Sequence, residues 1–212
     1  SLEEKELLLK EIHHRVRNTT ATIANILSRG EEKLKKKEAY EVFRDSRARL
    51  MAMEFLHDLL YRSQDRSKVE FSAYIKTLVK NLQVLHRSER RSVSIELNVS
   101  RIYLNIALAT PCGLIISELV SNALKHAFPS GSGGRIVVSF ELSNDHKLNL
   151  IVRDNGCGMP LEVEREDGRR SGLELVYGLV MQLEGMCEIR RDGGTEFPVT
   201  FIPAIRPKGE GR

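Results

Sequence analysis

The chain has 212 residues, of which 41% are hydrophobic and 29% are charged, and this composition excludes an intrinsically disordered chain. The net charge of +4 is small and evenly spread, so nothing in it indicates nucleic-acid binding. The three cysteines lie far apart without a CxxC pair, which excludes a disulfide framework and a cysteine zinc site. No apolar run approaches the roughly 20 residues that a membrane helix needs. We therefore expect a soluble, cytoplasmic chain, although a longer parent protein could be attached to a membrane.

Residues 1–66 show the spacing of two packed helices. Apolar or small residues recur at alternating intervals of three and four from Leu9 to Ile26. A second stripe consists of Ala39, Val42, Phe43, Ser46, Leu50, Met53, His57 and Leu60. A charged loop separates the two stripes, so the pattern predicts an antiparallel helical hairpin. His57 falls within the second stripe and is predicted to be packed. A lone hairpin buries one side of each helix, so we expect either dimerisation into a four-helix bundle or packing against the next domain.

From about Lys68 the periodicity becomes mixed. Pro111 is expected in the first turn of its helix, where a missing N–H costs nothing. Grouping of strands on one layer and helices on the other predicts an α+β sandwich. The predicted domains are therefore a hairpin at 1–66, a second domain at 67–205 and a flexible tail at 206–212. The predicted helices are 71–85, 111–127 and 172–183, and the predicted strands are 92–99, 135–142, 148–154, 187–191 and 195–202.

Two adjacent histidines lie in the first predicted helix. On a helical wheel with Ile12 at zero, His13 falls at about 100°, at the edge of the apolar stripe, and His14 at about 200°, opposite to it. An exposed neutral imidazole is a competent nucleophile near neutral pH. By itself the position fits either a nucleophile or an ordinary surface histidine.

Three further segments indicate a site for a phosphorylated ligand. Glu118, Asn122 and Lys125 fall at i, i+4 and i+7 and share one helix face, where an acid, an amide oxygen and an ammonium suit Mg²⁺ together with phosphate. A solvent-exposed helix face would explain these three residues equally well. Another of the three segments begins a helix at Gly172, and a helix N-terminus offers free N–H groups to phosphate.

The remaining segment, DNGCGMP at 154–160, lies between these two in the sequence and ends an apolar strand. The carboxylate of Asp154 at a strand end can accept a hydrogen bond from an exocyclic amine, and glycines let a planar ring approach the backbone. An ordinary hairpin turn is the alternative for this segment alone. The order and spacing of all three segments together predict a nucleotide-binding site.

These segments resemble those of the sensor histidine kinases, whose ATP-binding fold is shared with Hsp90, DNA gyrase and MutL. Residues 118–126 resemble the N box, 154–160 the G1 box and 171–176 the G2 box, and GGTEF at 193–197 resembles the closing G-T-x-F strand. The string EIHHRVRN at 11–18 is similar to the H-R-V-K-N phosphoacceptor motif of the HisKA type 2 subfamily, with arginine in place of lysine.

The resemblance implies ATP and Mg²⁺ as cofactors and His14 as the phosphoacceptor, the residue that the helical wheel places away from the stripe. It implies catalytic roles for Glu118 and Asn122, with Asn122 holding Mg²⁺. Common histidine kinases have an acid after the phosphoacceptor, where this chain has Arg15, so the base would be Glu118 or Glu11. The implied nucleotide-binding residues are Asn122, Lys125, His126, Asp154, Asn155, Gly156, Gly158, Gly172, Leu173 and Thr195.

The resemblance also implies partners. The phosphoryl group would pass to an aspartate of a response regulator receiver domain docked on the hairpin, and an upstream sensor domain would lie outside this chain. A homodimer through the hairpin is expected, with transfer to His14 within one chain or between two. An ATPase or serine kinase of the same fold and a non-catalytic scaffold that binds regulators are the alternatives.

Overall fold

The computed structural model describes residues 37–62, 67–86, 93–129, 133–159 and 170–203. His14, the rest of the first predicted helix and the predicted tail lie outside these residues. The described residues confirm the α+β class, with helices packed on one face of a mixed sheet. In chain order the elements are α1 (Lys37–Arg62), β1 (Lys68–Glu70), α2 (Phe71–Leu85), β2 (Val93–Val99), β3 (Tyr103–Asn105), α3 (Ile106–Asn122), β4 (Gly134–Leu142), β5 (Leu148–Asp154), α4 (Arg170–Gln182), β6 (Met186–Cys187) and β7 (Thr195–Phe201).

The larger sheet has the strand order β2-β4-β5-β7-β6, in which β2 and β4 are parallel and the other neighbours are antiparallel. Every second residue of β5 is buried, from Leu148 to Asp154, so the helices cover the face that carries these side chains. Phe71 of α2 lies against Phe140 of β4, with 4.8 Å between the ring centroids. This alternation places the last residue of β5 on the same face as the core.

Two short strands escaped prediction, because β1 and β3 have three residues each and form a separate antiparallel pair. Helix α3 begins at Ile106, five positions before Pro111, which corrects its predicted start. The reason is Asn105, whose side chain accepts a hydrogen bond from the backbone N–H of Leu108 at 3.0 Å and caps the helix. A wider π-helical turn, Ala123–Ala127, continues α3 towards the candidate site.

The segment Ile106–Ala127 is long and apolar enough to cross a membrane by length and composition, which corrects the expectation that no such run exists. Of its most apolar window, 67% is buried inside the fold. This is the burial expected of a central core helix, and α3 packs against α1, α2 and α4.

Helix α1 packs on the second predicted domain, one of the two alternatives expected for the hairpin. Its most buried residues recur every fourth position, and Ala52, Leu56 and Leu60 belong to the same apolar core as α2, α3 and the sheet. The hydroxyl of Tyr74 in α2 donates a hydrogen bond to the backbone oxygen of Ala52 at 2.9 Å. Apolar packing and this hydrogen bond therefore join α1 to the second predicted domain.

Most residues of the stripe predicted for α1 lie off its fully buried face, and Leu60 at the end of the stripe is the exception. Phe43, Leu50, Met53 and His57 are partly buried, and Val42 is 63% exposed. His57 is thus a half-buried residue rather than the core histidine that the stripe predicted. One helix carries two apolar stripes, and the periodicity alone did not separate them.

Candidate functional site

A cavity of about 340 Å³ lies between the C-terminal part of α3, the end of β5, the loop after it and the start of α4. Its wall contains side chains from segments that are far apart in the sequence. Of the residues predicted to bind the cofactor, the cavity brings together Asn122, Lys125, His126, Asp154, Gly158, Leu173 and Thr195.

Asp154 provides a buried carboxylate on this wall. It is 6% exposed, and its Oδ1 accepts hydrogen bonds from the backbone N–H groups of Gly156 at 2.9 Å and Thr195 at 3.3 Å. The antiparallel register of β5 and β7 sets Asp154 opposite Thr195 and explains the second bond. Burial raises the pKa of Asp154 above that of an ordinary aspartate, although both N–H groups oppose the shift.

The glycines around Asp154 allow close backbone contacts. A Cβ at Gly156 would lie 2.1 Å from the backbone oxygen of Ala127, and a Cβ at Gly194, whose φ is +134°, would lie 2.0 Å from the backbone oxygen of Asp154. The N–H of Cys157 donates to the same Ala127 oxygen at 2.8 Å. Gly156 therefore anchors the loop on the end of α3 and is absent from the cavity wall, so the structure gives it a different role from the predicted approach of a planar ring.

Asn155 turns away from the cavity. Its side-chain oxygen accepts a hydrogen bond from the backbone N–H of Arg135 at 2.7 Å, and its own N–H donates to the backbone oxygen of Arg135 at 3.2 Å. The side chain fixes the end of β5 to the start of β4 and borders a shallow polar depression on the other face of the sheet. The geometry thus gives Asn155 a structural contact in place of the predicted cofactor contact.

The first turn of α4 lies against the face of α3 that carries Glu118 and Asn122, two residues that the sequence analysis placed together. A Cβ placed on Gly172 would lie 2.9 Å from Oε2 of Glu118 and 3.5 Å from Nδ2 of Asn122. Glu118 is 5% exposed, so the alternative of a solvent-exposed helix face is wrong for this residue. Asn122 lines the cavity, while Glu118 and Gly172 lie just beyond its wall.

Two charged residues of α1 reach this face, and the sequence motifs gave no indication of them. Arg49 binds both oxygens of Glu118, with 2.5 Å from Nε to Oε1 and 3.1 Å from Nη2 to Oε2. The hydrogen bond to Glu118 raises the pKa of Arg49. Asp45, one turn earlier, forms an ion pair with the ammonium of Lys125. Lys125 was predicted to meet phosphates, but in this structure its 6% exposed side chain is engaged by a carboxylate.

The buried carboxylate of Asp154 and the side chain of Asn122 lie in a domain whose sequence matches an ATPase family. Residues 108–205 match the family described as histidine kinase-, DNA gyrase B- and HSP90-like ATPase. Residues 11–86 match the HisKA_2 histidine kinase family. The chain belongs to the histidine kinases, with a phosphoacceptor region of the HisKA_2 type joined to this ATPase domain.

Relatives with known names agree with this assignment. The sensor histidine kinase PdtaS of Mycobacterium tuberculosis is 29% identical over 214 residues, covering 97% of this chain and 41% of PdtaS. Blue-light-activated histidine kinase 2 of Erythrobacter litoralis is 23% identical over 212 residues, covering 97% of this chain and 59% of that protein. The chain therefore spans about two fifths of PdtaS and about three fifths of the second relative.

Solved structures show the same fold. A blue-light-activated histidine kinase of Erythrobacter litoralis superposes with a TM-score of 0.70 at 20% identity, over 94% of this chain and 60% of that one. The histidine kinase domain from an Erythrobacter litoralis blue-light-activated kinase gives 0.68 at 17% identity, over 88% of this chain and 94% of that domain.

Proposed function

We propose that this chain binds Mg·ATP, transfers the γ-phosphoryl group to His14 and passes it to an aspartate of a response regulator. The observation that carries the proposal is that Asp154 and Asn122 line the same cavity, beside the N-terminus of α4. The family assignment supports the same reaction, since the phosphoacceptor region and the ATPase domain occur together in one chain.

The cavity fits an adenine ring. The carboxylate of Asp154 can accept a hydrogen bond from the exocyclic amine, and Val152, Leu173 and Phe197 supply apolar walls. The volume of about 340 Å³ lies at the lower end of ordinary ligand sites, which suits a purine with its phosphates directed outwards. His126 is exposed at the same wall and can contact the nucleotide there.

The cavity also fits Mg²⁺ bound together with phosphates. Mg²⁺ prefers oxygen ligands and commonly takes few from the protein because substrate phosphates and water complete its shell. Asn122 would hold it through the side-chain oxygen, and in the part of the chain that the structure describes no cluster of three His, Cys, Asp or Glu offers an alternative. Bound Mg²⁺ would supply charge neutralisation on the phosphates.

The protein residues would act mainly by positioning. Neutral His14 attacks the γ-phosphorus in line, so that an N–P bond forms while the bond to the ADP oxygen breaks and ADP leaves with the electron pair. Glu118 or Glu11 accepts the imidazole proton. The N-terminus of α4, which lies beside Asn122, would offer its free N–H groups to the phosphates, and Lys125 can add an ammonium once it leaves Asp45.

The similarity to PdtaS, which is named a sensor histidine kinase, supports a role for this chain in a signalling system. We infer a cytoplasmic kinase core that works with a response regulator receiver domain and with an input domain outside these residues. A homodimer through the hairpin would use the partly buried face of α1 around Leu50 and Met53, which is distinct from the face that packs on the ATPase domain.

The proposal is tested by incubating the purified chain with γ-labelled Mg·ATP and following label on the protein before and after acid treatment. We expect label that is lost in acid, because a phosphoramidate bond hydrolyses there and a phosphate ester does not. Acid-stable label would indicate a serine kinase instead. Absence of both label and nucleotide binding would favour the non-catalytic scaffold.

Replacement of Gly172 by valine is expected to lower the rate of autophosphorylation about 100-fold, since displacements of about 1 Å in positioning can cost this much. The added side chain meets Glu118, which Arg49 holds in place, and pushes the first turn of α4 off Asn122. The matched control is Gly178→Val in the same helix, where an added Cβ has nothing within 4 Å. Equal rates for the two variants would contradict the assigned role of the α4 N-terminus.

A further inference from the structure

Helix α1 makes charged contacts with the same face of α3 that borders the nucleotide cavity. Lys125 belongs both to the cavity wall and to the contact with α1, since its side chain lines the cavity and its ammonium pairs with Asp45 of α1. One turn along α1, Arg49 binds both oxygens of Glu118. Two adjacent ion pairs therefore connect α1 to the catalytic face, and each includes a residue that the proposed reaction uses.

The rest of α1 is attached in a different way. Ala52, Leu56 and Leu60 are 1–3% exposed in the common core, and Tyr74 is hydrogen-bonded to the backbone of Ala52. The half of α1 near the cavity carries both ion pairs and a small buried residue, Ala48, which is 2% exposed in the same core, while the other half is held by larger apolar side chains. Ion pairs can be exchanged for other ion pairs at little cost, whereas opening an apolar core exposes surface to water. The half with the ion pairs, which we call the charged half, is therefore the part of α1 that separates at the lower cost.

We propose that Asp45 and the phosphates of the nucleotide compete for Lys125, so that docking of the charged half of α1 lowers the affinity for ATP. This inference rests on the proposed function and identifies Asp45 as a residue that sets nucleotide affinity. Arg49 strengthens the docked arrangement through Glu118. Binding of ATP releases Asp45 from Lys125, and docking of Asp45 disfavours ATP by the same factor, because coupling between two binding events is reciprocal.

The burial of the two partners favours this exchange. The side chain of Lys125 is 6% exposed, so its charge needs a partner close by, and a triphosphate with bound Mg²⁺ can replace the carboxylate. Asp45 is 29% exposed and lies near Arg49, so its charge regains water and keeps a cation beside it when Lys125 turns to the phosphates. No buried charge is therefore left unpaired, either when Lys125 pairs with Asp45 or when it pairs with the phosphates.

The first experiment compares Asp45→Asn with the unaltered chain in titrations with Mg·ATP and with adenosine, which lacks phosphates. We expect Asp45→Asn to bind ATP about fivefold or more tightly, the usual lower range of coupling between sites, and adenosine with unchanged affinity. The matched control is Asp58→Asn, which removes an acid from the same helix that pairs with Arg62 one turn away. ATP affinity equal to that of the control, or an equal gain for adenosine, would overturn the competition.

The second experiment uses the unaltered chain and measures amide hydrogen exchange along α1. Saturating Mg·ATP is expected to reduce protection near Asp45 and Arg49 and to leave Leu56 and Leu60 protected. Adenosine is expected to leave the protection of all four residues unchanged. Unchanged exchange on ATP binding would refute the release of α1. A chain that binds no ATP at all would contradict the proposed function and the competition together, whereas normal ATP binding without an effect of Asp45 contradicts the competition alone.

Discussion

Replacement of His14 by alanine is expected to abolish acid-labile labelling of the chain by γ-labelled Mg·ATP. The imidazole is the proposed nucleophile, and alanine offers no atom to which the phosphoryl group can be transferred. Two independent lines lead to this residue: the motif at 11–18 and the position of His14 opposite the apolar stripe of its predicted helix. ATP affinity should stay unchanged, since the cavity is formed by residues from 119 onwards.

The neighbouring histidine gives the control for this experiment. His13→Ala removes the same atoms one position earlier, at the edge of the predicted stripe, and is expected to retain label. Labelling that persists in His14→Ala and disappears in His13→Ala would move the phosphoacceptor to His13. Labelling that persists in both single variants would place it outside this motif. The measurement is the acid-labile label per chain at equal ATP occupancy.

Replacement of Asp154 by asparagine is expected to weaken ATP binding about 10- to 100-fold, the amount set by one hydrogen bond to a charged acceptor. The variant can keep an oxygen for the N–H groups of Gly156 and Thr195, so the loop retains its anchor. Its amide N–H₂ then faces the exocyclic amine of adenine, where two donors meet. The discrimination between ATP and GTP, which carries an oxygen at that position, should fall in the same variant.

The matched control for this substitution is Asp145→Asn in the exposed hairpin between β4 and β5. It makes the same chemical change outside the cavity and should leave both affinities unaltered. Thermal unfolding of each variant, followed without nucleotide, separates a loss of binding from a loss of folding. Normal ATP affinity in Asp154→Asn would show that the carboxylate supports only the loop.

The same carboxyl group gives a dependence on pH. Burial raises the pKa of Asp154, so the folded protein takes up this proton at a higher pH than an exposed aspartate would. Protonation favours the folded state through this group, and the expected loss in acid is therefore a loss of ATP affinity rather than of stability. Asp154→Asn should lack this step in a plot of affinity against pH.

Local sequence patterns were sufficient for several elements. The helix Phe71–Leu85 and the strand Leu148–Asp154 have the predicted bounds, because their periodicities are regular. The start of α3 was wrong because Pro111 was taken as its first turn, although Asn105 supplies the cap. The strand β1 has only three residues, too few for an alternation to be recognised.

The orientation of a site residue was predictable where it depends only on the periodicity of a single strand or helix. Asp154 ends an alternating strand, so its side chain had to lie on the buried face, and Asn122 follows Glu118 by one helical turn. The neighbouring Asn155 faces the other side of the sheet and binds Arg135, a contact decided by the pairing of β5 with β4. A motif gives the residue types in order but not the side to which each one turns.

The sequence by itself determined the class of protein, because the spacing of apolar residues and the three nucleotide-binding segments are local patterns that short-range geometry imposes. Only the tertiary structure decided what surrounds Glu118 and Lys125. Their partners Arg49 and Asp45 lie 69 and 80 positions away, on a helix whose charged residues have no distinguishing pattern. Long-range ion pairs depend on which helix faces meet, and that choice follows from the burial of the apolar core rather than from the charges themselves.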